Sequence, residues 1–396
     1  MLHEPLPLLI RYPIPLITVA NAQLTPAPLV EWGLGLDRPL VVAGPCSAES
    51  EGQVLAAARA LKADGRAKAF RAGLWKPRTR PGTFEGAGDA ALGWLQRVKQ
   101  ETGLLVATEV ATPHHVEACL RAGVDMLWIG ARTTPNPFSV QAIADALQGV
   151  DIPVLVKNPI NPDLHLWTGA LERLQRAGLR RLAAVHRGFN WFERTPYRNS
   201  PMWEFPIRLK AAHPELELLC DPSHIAGNAE RIGQVAQQAL DLGFSGLMVE
   251  VHPDPASARS DADQQLTPEG FARMLDGLIF RQAAPTPGMR DRLDELRDLI
   301  DQLDEEIAQK LGARMDIAER IGDHKRTHQV AILQPERWER IMRRQSRLAA
   351  HLGLSQAFVN EFMDAIHRES IRRQTGDAQA SAAVGSPASA AKVSGE

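Results

Sequence analysis

The feature that most constrains the fold is a short apolar run that recurs roughly every 30 residues between residues 39 and 280. A polar segment and then a stretch with helical periodicity follow each run, which is the pattern of a strand–helix unit. Continuous apolar strands indicate a sheet that is covered on both faces. The eight predicted strands are Leu40–Ala43, Ala69–Leu74, Leu104–Thr108, Met126–Ile129, Val154–Val156, Leu182–Val185, Leu216–Leu219 and Leu247–Val251.

Eight consecutive strand–helix units predict an α/β fold of the (β/α)8 type, a TIM barrel. The alternative is a doubly wound open sheet. The sequence favours the barrel because no Gly-x-Gly-x-x-Gly turn follows the first predicted strand.

The remaining sequence divides into four segments around the barrel. Residues 1–38 are rich in proline and leucine and form an N-terminal extension, and residues 281–289 read as a linker. Residues 290–375 have no strand signals and an apolar spacing of three to four, which predicts an all-α helical domain. Residues 376–396 are rich in alanine, serine and glycine and predict a disordered tail.

Composition excludes several classes of protein. The net charge of −2 gives no reason to expect nucleic acid or membrane partners. The longest apolar stretch, Leu6–Ala20, contains Arg11, Pro13 and Pro15, so it predicts neither a membrane span nor a signal peptide. Three cysteines are a small and odd number, which does not suit a disulfide framework. The sequence therefore predicts a reducing, cytoplasmic location.

Polar residues follow the predicted strands, where a barrel builds its active site. Five of them are cationic, and such a cluster repels itself unless anions fill it. Arginine forks suit phosphate and carboxylate oxygens, so small phosphorylated substrates are expected. The five cations are Arg71, Lys76, Arg132, Lys157 and Arg187.

A second constellation is Cys46, His224, Glu250 and Asp261. Strands one, seven and eight are neighbours in a closed barrel, so these side chains would meet. A thiolate, an imidazole and two carboxylates suit Mn²⁺, Fe²⁺, Co²⁺ or Zn²⁺ better than Ca²⁺ or Mg²⁺. Taken singly, the same residues read as a buried cysteine, a helix-start residue and a cap, and spacing alone leaves both interpretations open.

Four motifs give the barrel region a resemblance to a known family, the 3-deoxy-D-arabino-heptulosonate 7-phosphate (DAHP) synthases, over residues 39 to about 280. It is similar above all to the branch shared with 3-deoxy-manno-octulosonate 8-phosphate synthase. The motifs are Gly44-Pro45-Cys46-Ser47, Lys76-Pro77-Arg78-Thr79, Ile129-Gly130-Ala131-Arg132 and Asp221-Pro222-Ser223-His224.

The resemblance implies a divalent metal ion in the barrel, first of all Mn²⁺, held by Cys46, His224, Glu250 and Asp261. It implies that phosphoenolpyruvate is bound by Arg71, Arg132 (with Ala131 beside it), Lys157 and Arg187. It implies that erythrose 4-phosphate is bound by Lys76, Pro77, Arg78 and Thr79. The octulosonate enzymes typically carry Lys-Ala-Asn-Arg in this last motif, so the present motif favours the four-carbon sugar.

The implied reaction joins the enol carbon of phosphoenolpyruvate to the aldehyde carbon of the sugar, with the metal as a Lewis acid. Lys76 is the predicted proton donor to the new alkoxide, because a desolvated lysine among cations should have a lowered pKa. Glu109 is the candidate for handling the water that adds.

Residues 290–375 resemble the all-helical chorismate mutases. The resemblance implies that Arg314, and Arg297 of the partner subunit, clamp the two carboxylates of chorismate in a homodimer formed through these helices. Lys325 and Gln374 would hydrogen-bond the ether oxygen, and further support would come from Arg337 and Ser370.

One residue departs from that family. Many members have a glutamate, which holds the substrate hydroxyl, at the position of Trp338. A helical region that only dimerises or binds an effector therefore remains an alternative. A further hypothesis is feedback, in which prephenate bound in the helical domain favours a docked state and lowers synthase turnover.

Overall fold

The computed structural model describes residues 23–36, 38–76, 82, 84–192, 195–280 and 287–375, with side chains from residue 292 in the last range. The chain forms two compact units, Met1–Ala283 and Ala284–Glu396, and each is described by itself. Within the described ranges, no helix is both long and apolar enough to cross a membrane.

The first unit is a closed barrel of eight parallel strands in sequence order, so the predicted barrel is confirmed. The second strand is shorter than predicted, because beyond Arg71 only Gly73 pairs, in an isolated bridge with Ser47. The strands are β1 Leu40–Gly44, β2 Ala69–Arg71, β3 Leu105–Val110, β4 Met126–Ile129, β5 Val154–Lys157, β6 Leu182–His186, β7 Glu217–Cys220 and β8 Gly246–Glu250.

Helices connect the strands and cover the outside of the barrel. Several begin at a side chain that accepts a hydrogen bond from the first turn, as Ser50 does from the N–H of Gln53 and Asp163 from that of Leu166. They are α1 Glu51–Asp64, α2 Ala90–Thr102, α3 Pro113–Arg121, α4 Pro137–Ala146, α5 Leu164–Arg176, α6 Glu204–Ala212, α7 Pro222–Ala226, α8 Ile232–Asp241 and α9 Pro268–Asp276.

The described part of the N-terminal extension closes the amino end of the barrel. A 3-10 helix, Leu29–Trp32, packs its two terminal side chains into the cluster that fills the barrel interior, beside Met126 and Met248. The N–H of Leu29 donates to Oε1 of Glu217, the first residue of β7, at 3.0 Å. This end of the barrel is therefore filled, and only the opposite end is left for a ligand.

The second unit consists of α10 Pro287–Thr327, α11 Pro335–His351 and α12 Gln356–Thr375. Its first helix starts at Pro287, inside the segment predicted as a linker. A small core includes Met315 from α10, Ala349 from α11 and Met363 from α12.

The amino-terminal half of α10 carries an apolar stripe that stays exposed in the single chain. The predicted spacing of three to four places Leu296 and Leu303 on one face of the helix. Leu296 is 43% exposed and Leu303 is 58% exposed, so this face is not covered within the single chain.

Candidate active sites

A cavity at the carboxyl ends of the strands is lined almost entirely by polar and charged side chains. The sequence predicted all of them except Arg198, which lies in the loop after β6. The lining residues are Cys46, Arg71, Lys76, Glu109, Arg132, Lys157, Arg187, Arg198, His224, Glu250 and Asp261.

Two glycines allow the strand ends to come close to these side chains. A Cβ on Gly44, whose φ is +149°, would lie 2.1 Å from the carbonyl oxygen of Arg71. A Cβ on Gly130 would lie 2.1 Å from Oε1 of Glu109. Any other residue at either position would displace a group that lines the cavity.

The ammonium of Lys76 lies between Cys46 and Asp261. Its Nζ is 2.5 Å from Sγ of Cys46 and 3.2 Å from Oδ2 of Asp261. The same Sγ and Oδ2 are 3.0 Å apart. Burial raises the pKa of the Cys46 thiol well above its ordinary value, with a further contribution from the charge of Glu250.

The predicted lowering of the Lys76 pKa is wrong in this structure. Burial lowers the pKa of Lys76. The neighbouring Cys46, Asp261 and Glu250 raise it by more in total, so the net pKa is above the ordinary value. The cations of the mouth would lower the pKa of Lys76, but the acidic groups lie closer to it and have the larger effect.

Asp261 is held by a second cation that the sequence analysis missed. Nη1 of Arg198 lies 2.9 Å from Oδ1 of Asp261 and also donates to Gln264. The amide of Gln264 in turn donates to Oε2 of Glu250 at 2.6 Å. Burial would raise the pKa of Asp261, but Lys76 and Arg198 hold it well below its usual range.

Two buried carboxylates flank His224. Its Nδ1 lies 2.9 Å from Oδ2 of Asp221 and 3.8 Å from Oε1 of Glu250. Burial lowers the pKa of His224 despite these two charges, so the imidazole is neutral at pH 7. Neutral imidazole is the form that binds a metal.

The five predicted cations do line one cavity, but three of them already have acidic partners from the protein. Nζ of Lys157 lies 2.6 Å from Oδ2 of Asp221, and Nη2 of Arg71 lies 3.3 Å from Oε1 of Glu250. Lys76 pairs with the carboxylate of Asp261, as described above. Adjacent strand ends thus supply acids as well as bases, which offsets much of the expected repulsion.

Two arginines at the mouth still have no acidic partner within the described ranges. Arg132 has none, and Nη1 of Arg187 instead donates to the amide oxygen of Asn199 at 2.7 Å. Burial lowers the pKa of Arg187 to about 10. Nε and Nη1 of Arg71 are also buried without an acceptor, above the ring of Trp128. These donors leave room for an anion with several oxygens.

The four predicted metal ligands line the same cavity in two pairs, Cys46 with Asp261 and His224 with Glu250. In the part of the chain that is described, no three such side chains converge closely enough to hold an ion as they stand. The donor set nevertheless fits a borderline divalent metal, because Oε1 of Glu250 is buried without a hydrogen bond among the described residues and Cys46 and Asp261 already share one cation, the ammonium of Lys76.

Four predicted substrate-binding residues are not placed in this cavity. Pro77, Arg78 and Thr79 lie outside the described residues. Ala131 follows β4 and is partly exposed, but it is not among the described residues that line the cavity.

In the helical unit, predicted site residues of α10 and α12 lie close together. Arg314 of α10 donates to Oγ of Ser370 on α12. A Cβ on Gly322 of α10 would lie 2.6 Å from the Cα of Gln374, so the two helices are in close contact there. Oε1 of Gln374 is buried and has no hydrogen-bond partner among the described residues. Arg314 and Ser370 are therefore brought together, and Gln374 lies one turn further along α12, beside Gly322.

The other predicted residues of this unit are placed less closely. Nζ of Lys325 donates to the carbonyl oxygen of Ile332 at 2.6 Å, in the loop between α10 and α11. Arg297 pairs with Asp294 of its own helix at 2.9 Å and is largely exposed, and Arg337 is exposed. A single chain does not test the role predicted for Arg297 in a partner subunit.

Comparison with known proteins assigns the barrel. The family model described as "DAHP synthetase I family" matches residues 22–279. The chain belongs to this family. A second model, "Chorismate mutase type II", matches residues 296–375. The chain therefore joins a DAHP synthase domain and a chorismate mutase domain, as a bifunctional enzyme of the shikimate pathway.

Individual relatives match the barrel. A phospho-2-dehydro-3-deoxyheptonate aldolase of Thermotoga maritima is 30% identical over 59% of this chain and 67% of its own length. A 2-dehydro-3-deoxyphosphooctonate aldolase of Rhodopseudomonas palustris is 28% identical over 65% of this chain and 94% of its own length.

A crystal structure of the Thermotoga maritima phospho-2-dehydro-3-deoxyheptonate aldolase superposes with a TM-score of 0.54 at 27% identity, over 60% of this chain and 67% of that one.

Several residues of the synthase mouth were missed or received no role from the sequence. Asp221 stands at a strand end beside His224, and that position was the available signal for it. Arg198 and Asn199 lie in the loop after β6 and Gln264 ends a short 3-10 helix, Ala262–Gln264, and nothing in the local pattern distinguishes them from solvated polar residues.

Proposed function

We propose that the barrel catalyses the metal-dependent condensation of phosphoenolpyruvate with erythrose 4-phosphate to DAHP and phosphate. The observation that supports this most is the single cavity in which unpaired arginine donors lie beside Cys46, His224, Glu250 and Asp261. These four would hold one divalent ion, most readily Mn²⁺, with Fe²⁺, Co²⁺ or Zn²⁺ as alternatives. When bound, it supplies Lewis-acid activation of the aldehyde oxygen.

The residues of the chain bind and orient the two substrates. Arg71, Arg132, Lys157 and Arg187 bind the phosphate and carboxylate of phosphoenolpyruvate. Its C3 forms a bond to the aldehyde carbon, and the carbonyl electron pair moves to oxygen, which takes a proton from Lys76. The raised pKa of Lys76 keeps this ammonium protonated before the step.

The second half of the reaction takes place at C2 of phosphoenolpyruvate. Water adds to this cationic carbon and gives one proton to Glu109. The adduct then expels phosphate with the C2–O electron pair, and the remaining hydroxyl passes its proton to the departing phosphate to leave the ketone. Oε2 of Glu109 accepts a hydrogen bond from Nε1 of Trp128 at 3.0 Å, which fixes the carboxylate at the mouth.

The four-carbon sugar is proposed from Lys76-Pro77-Arg78-Thr79, since overall identity is 30% to a phospho-2-dehydro-3-deoxyheptonate aldolase and 28% to a 2-dehydro-3-deoxyphosphooctonate aldolase and does not decide between them. The test compares DAHP formation from erythrose 4-phosphate with condensation of arabinose 5-phosphate, before and after chelation and after return of each metal. We expect turnover with the first sugar only, lost on chelation and restored by Mn²⁺. Full activity in a chelated, metal-free protein would contradict the proposed metal dependence.

For the helical unit we propose rearrangement of chorismate to prephenate. Arg314 binds a carboxylate, Lys325 and Gln374 bind the ether oxygen, and Ser370, Arg337 and Arg297 of the partner subunit complete the site. The contact between Arg314 and Ser370, and the position of Gln374 one turn after Ser370 on the same face of α12, support this proposal. Loss of chorismate absorbance tests it against a unit that only dimerises or binds an effector.

A homodimer through the helices is part of this proposal. The apolar stripe that includes Leu296, Leu303 and Ile307 is about half exposed in the single chain. Analytical ultracentrifugation should give a mass twice that of the chain, and Leu303→Glu should lower the measured mass toward that of a single chain.

Regulation is a separate proposal, in which prephenate bound in the helical unit lowers synthase turnover. It rests on the order of the two reactions in the pathway, since the mutase acts downstream of the synthase. The test measures synthase turnover against added prephenate in the full chain and in a chain truncated after Phe280. Inhibition of the full chain alone supports it, and no inhibition, or equal inhibition of both, contradicts it.

The three free cysteines fit a reducing, cytoplasmic location.

A further inference from the structure

Trp338 and His367 form a pair that the proposed reactions leave without a role. Their rings stack with centroids 4.0 Å apart and an interplanar angle of 22°. Trp338 comes from α11 and packs against the small core of the helical unit, while His367 comes from α12. Both side chains are half-buried.

His367 lies on the same face of α12 as the residues of the proposed mutase site. It precedes Ser370 by three residues and Gln374 by seven, and these spacings keep the three side chains within one stripe of the helix. Arg314, which donates to Ser370, is also close enough to lower the pKa of His367. The imidazole therefore faces the region where Arg314 and Gln374 are placed.

The imidazole is available to a ligand. Within the described ranges, neither ring nitrogen of His367 makes a hydrogen bond to the protein, and one ring face is covered by Trp338. Burial, together with Arg314, lowers the pKa of His367 although Asp364 raises it, so the ring is neutral at pH 7. A neutral imidazole offers one N–H donor and one acceptor nitrogen.

The substrate has one polar group that the charged residues do not suit. Chorismate carries two carboxylates, an ether oxygen and a ring hydroxyl. Arginine and lysine donate to the first three but cannot accept a hydrogen bond from the fourth. An uncharged group that both donates and accepts is the natural partner of a hydroxyl.

We propose that His367, held in place by the stacked Trp338, binds the ring hydroxyl of chorismate and makes the mutase selective for hydroxyl-bearing substrate. This inference rests on the proposed mutase function. His367 contacts the substrate in this account, whereas Trp338 is a positioning residue that acts through the orientation of the imidazole.

The experiment measures kcat/KM of the full chain for chorismate and for an analogue that lacks the ring hydroxyl. The wild type should prefer chorismate by at least about tenfold, because an unmatched hydrogen-bonding group at a site selects strongly against the deoxy compound. His367→Ala should abolish most of that preference, mainly through a higher KM for chorismate and little change for the analogue. His367→Gln should restore part of it.

Trp338→Phe should retain the preference and Trp338→Ala should reduce it. His351→Ala, an exposed histidine in the last turn of α11, is the matched control and should leave the preference unchanged. Circular dichroism of each variant checks that the helices are folded.

The outcomes separate the inference from the function on which it rests. If the wild type consumes chorismate but His367→Ala slows both substrates equally, His367 is only structural and the inference is overturned. If the His367→Ala and His367→Gln proteins both keep the wild-type preference, it is overturned as well. If the folded wild type consumes no chorismate at all, the proposed mutase function fails and the inference fails with it.

Discussion

The two units hold their polar groups in opposite ways. At the barrel mouth, buried acids and bases from different strand ends pair with one another, as Lys157 does with Asp221 and Arg71 with Glu250. In the helical unit, Gln374 has an unpartnered buried oxygen, and Arg297 is exposed far from the other site residues. The barrel thus arranges its candidate site within one chain, whereas the helical unit leaves polar groups open, as expected if substrate and a partner subunit complete the proposed site.

This difference predicts which changes are confined to one unit. The largest effect is expected for Cys46→Ala, which removes one proposed metal ligand. Synthase turnover should fall at least about a thousandfold, since a bound metal contributes several kcal/mol of transition-state stabilisation. Cys119→Ala is the control, because Cys119 is buried in α3 outside the cavity. Metal content per chain and the rate of DAHP formation are measured together, and a metal-replete, active Cys46→Ala protein would contradict the assignment.

A smaller effect is expected for Arg187→Lys. Arg187 has an amide rather than a carboxylate as its neighbour, so its guanidinium is left for the substrate. Replacing the planar fork by a point charge should raise the KM for phosphoenolpyruvate by roughly ten- to a hundredfold. Arg59→Lys, on an exposed ion pair with Glu101, should leave KM unchanged. An unaltered KM in Arg187→Lys would remove Arg187 from the phosphoenolpyruvate site.

The comparison also concerns stability. Gly322→Ala places a Cβ 2.6 Å from the Cα of Gln374, so α10 and α12 must separate, at a cost of about 1–3 kcal/mol. Gly312→Ala is the matched control on the same helix, where a Cβ meets nothing within 4 Å, and should be neutral or stabilising by up to about 1 kcal/mol. Urea unfolding followed by circular dichroism measures both. Equal stability of the two variants would show that the helices do not contact as described.

The smallest effect is the pH dependence of the mutase. The amide of Gln374 donates a hydrogen bond at any pH, so the rate should change little between about pH 5 and 8. In Gln374→Glu the donor exists only while the carboxyl is protonated, and the rate should fall as pH rises. A steep loss between about pH 5 and 7 in the wild type, with protein and substrate intact, would show that another group supplies the bond.

The sequence predicted the barrel and most of its mouth because strand periodicity places residues at known ends of a closed sheet. Cys46, Lys157 and Glu250 directly follow or end such strands. Arg198 reaches the mouth from an irregular loop and Gln264 from a single 3-10 turn, and no local period places such a residue in space. The direction of the Lys76 pKa shift was mispredicted for the same reason, since it depends on the distances from Lys76 to Cys46 and Asp261.

The helical unit was less predictable at the level of its site. Helical spacing correctly placed Ser370 and Gln374 on one face of α12, but the pairing of Trp338 with His367 joins two helices. Contacts between helices depend on how they cross, which the spacing within one helix does not determine.

The central claim is that one chain carries two separate active sites. The most direct measurement is both activities, DAHP formation and chorismate loss, on the same preparations of Cys46→Ala and Gln374→Ala protein. We expect Cys46→Ala to lose synthase turnover and keep chorismate consumption largely intact, and Gln374→Ala to do the reverse. Loss of both activities in either folded variant would contradict the two-site account.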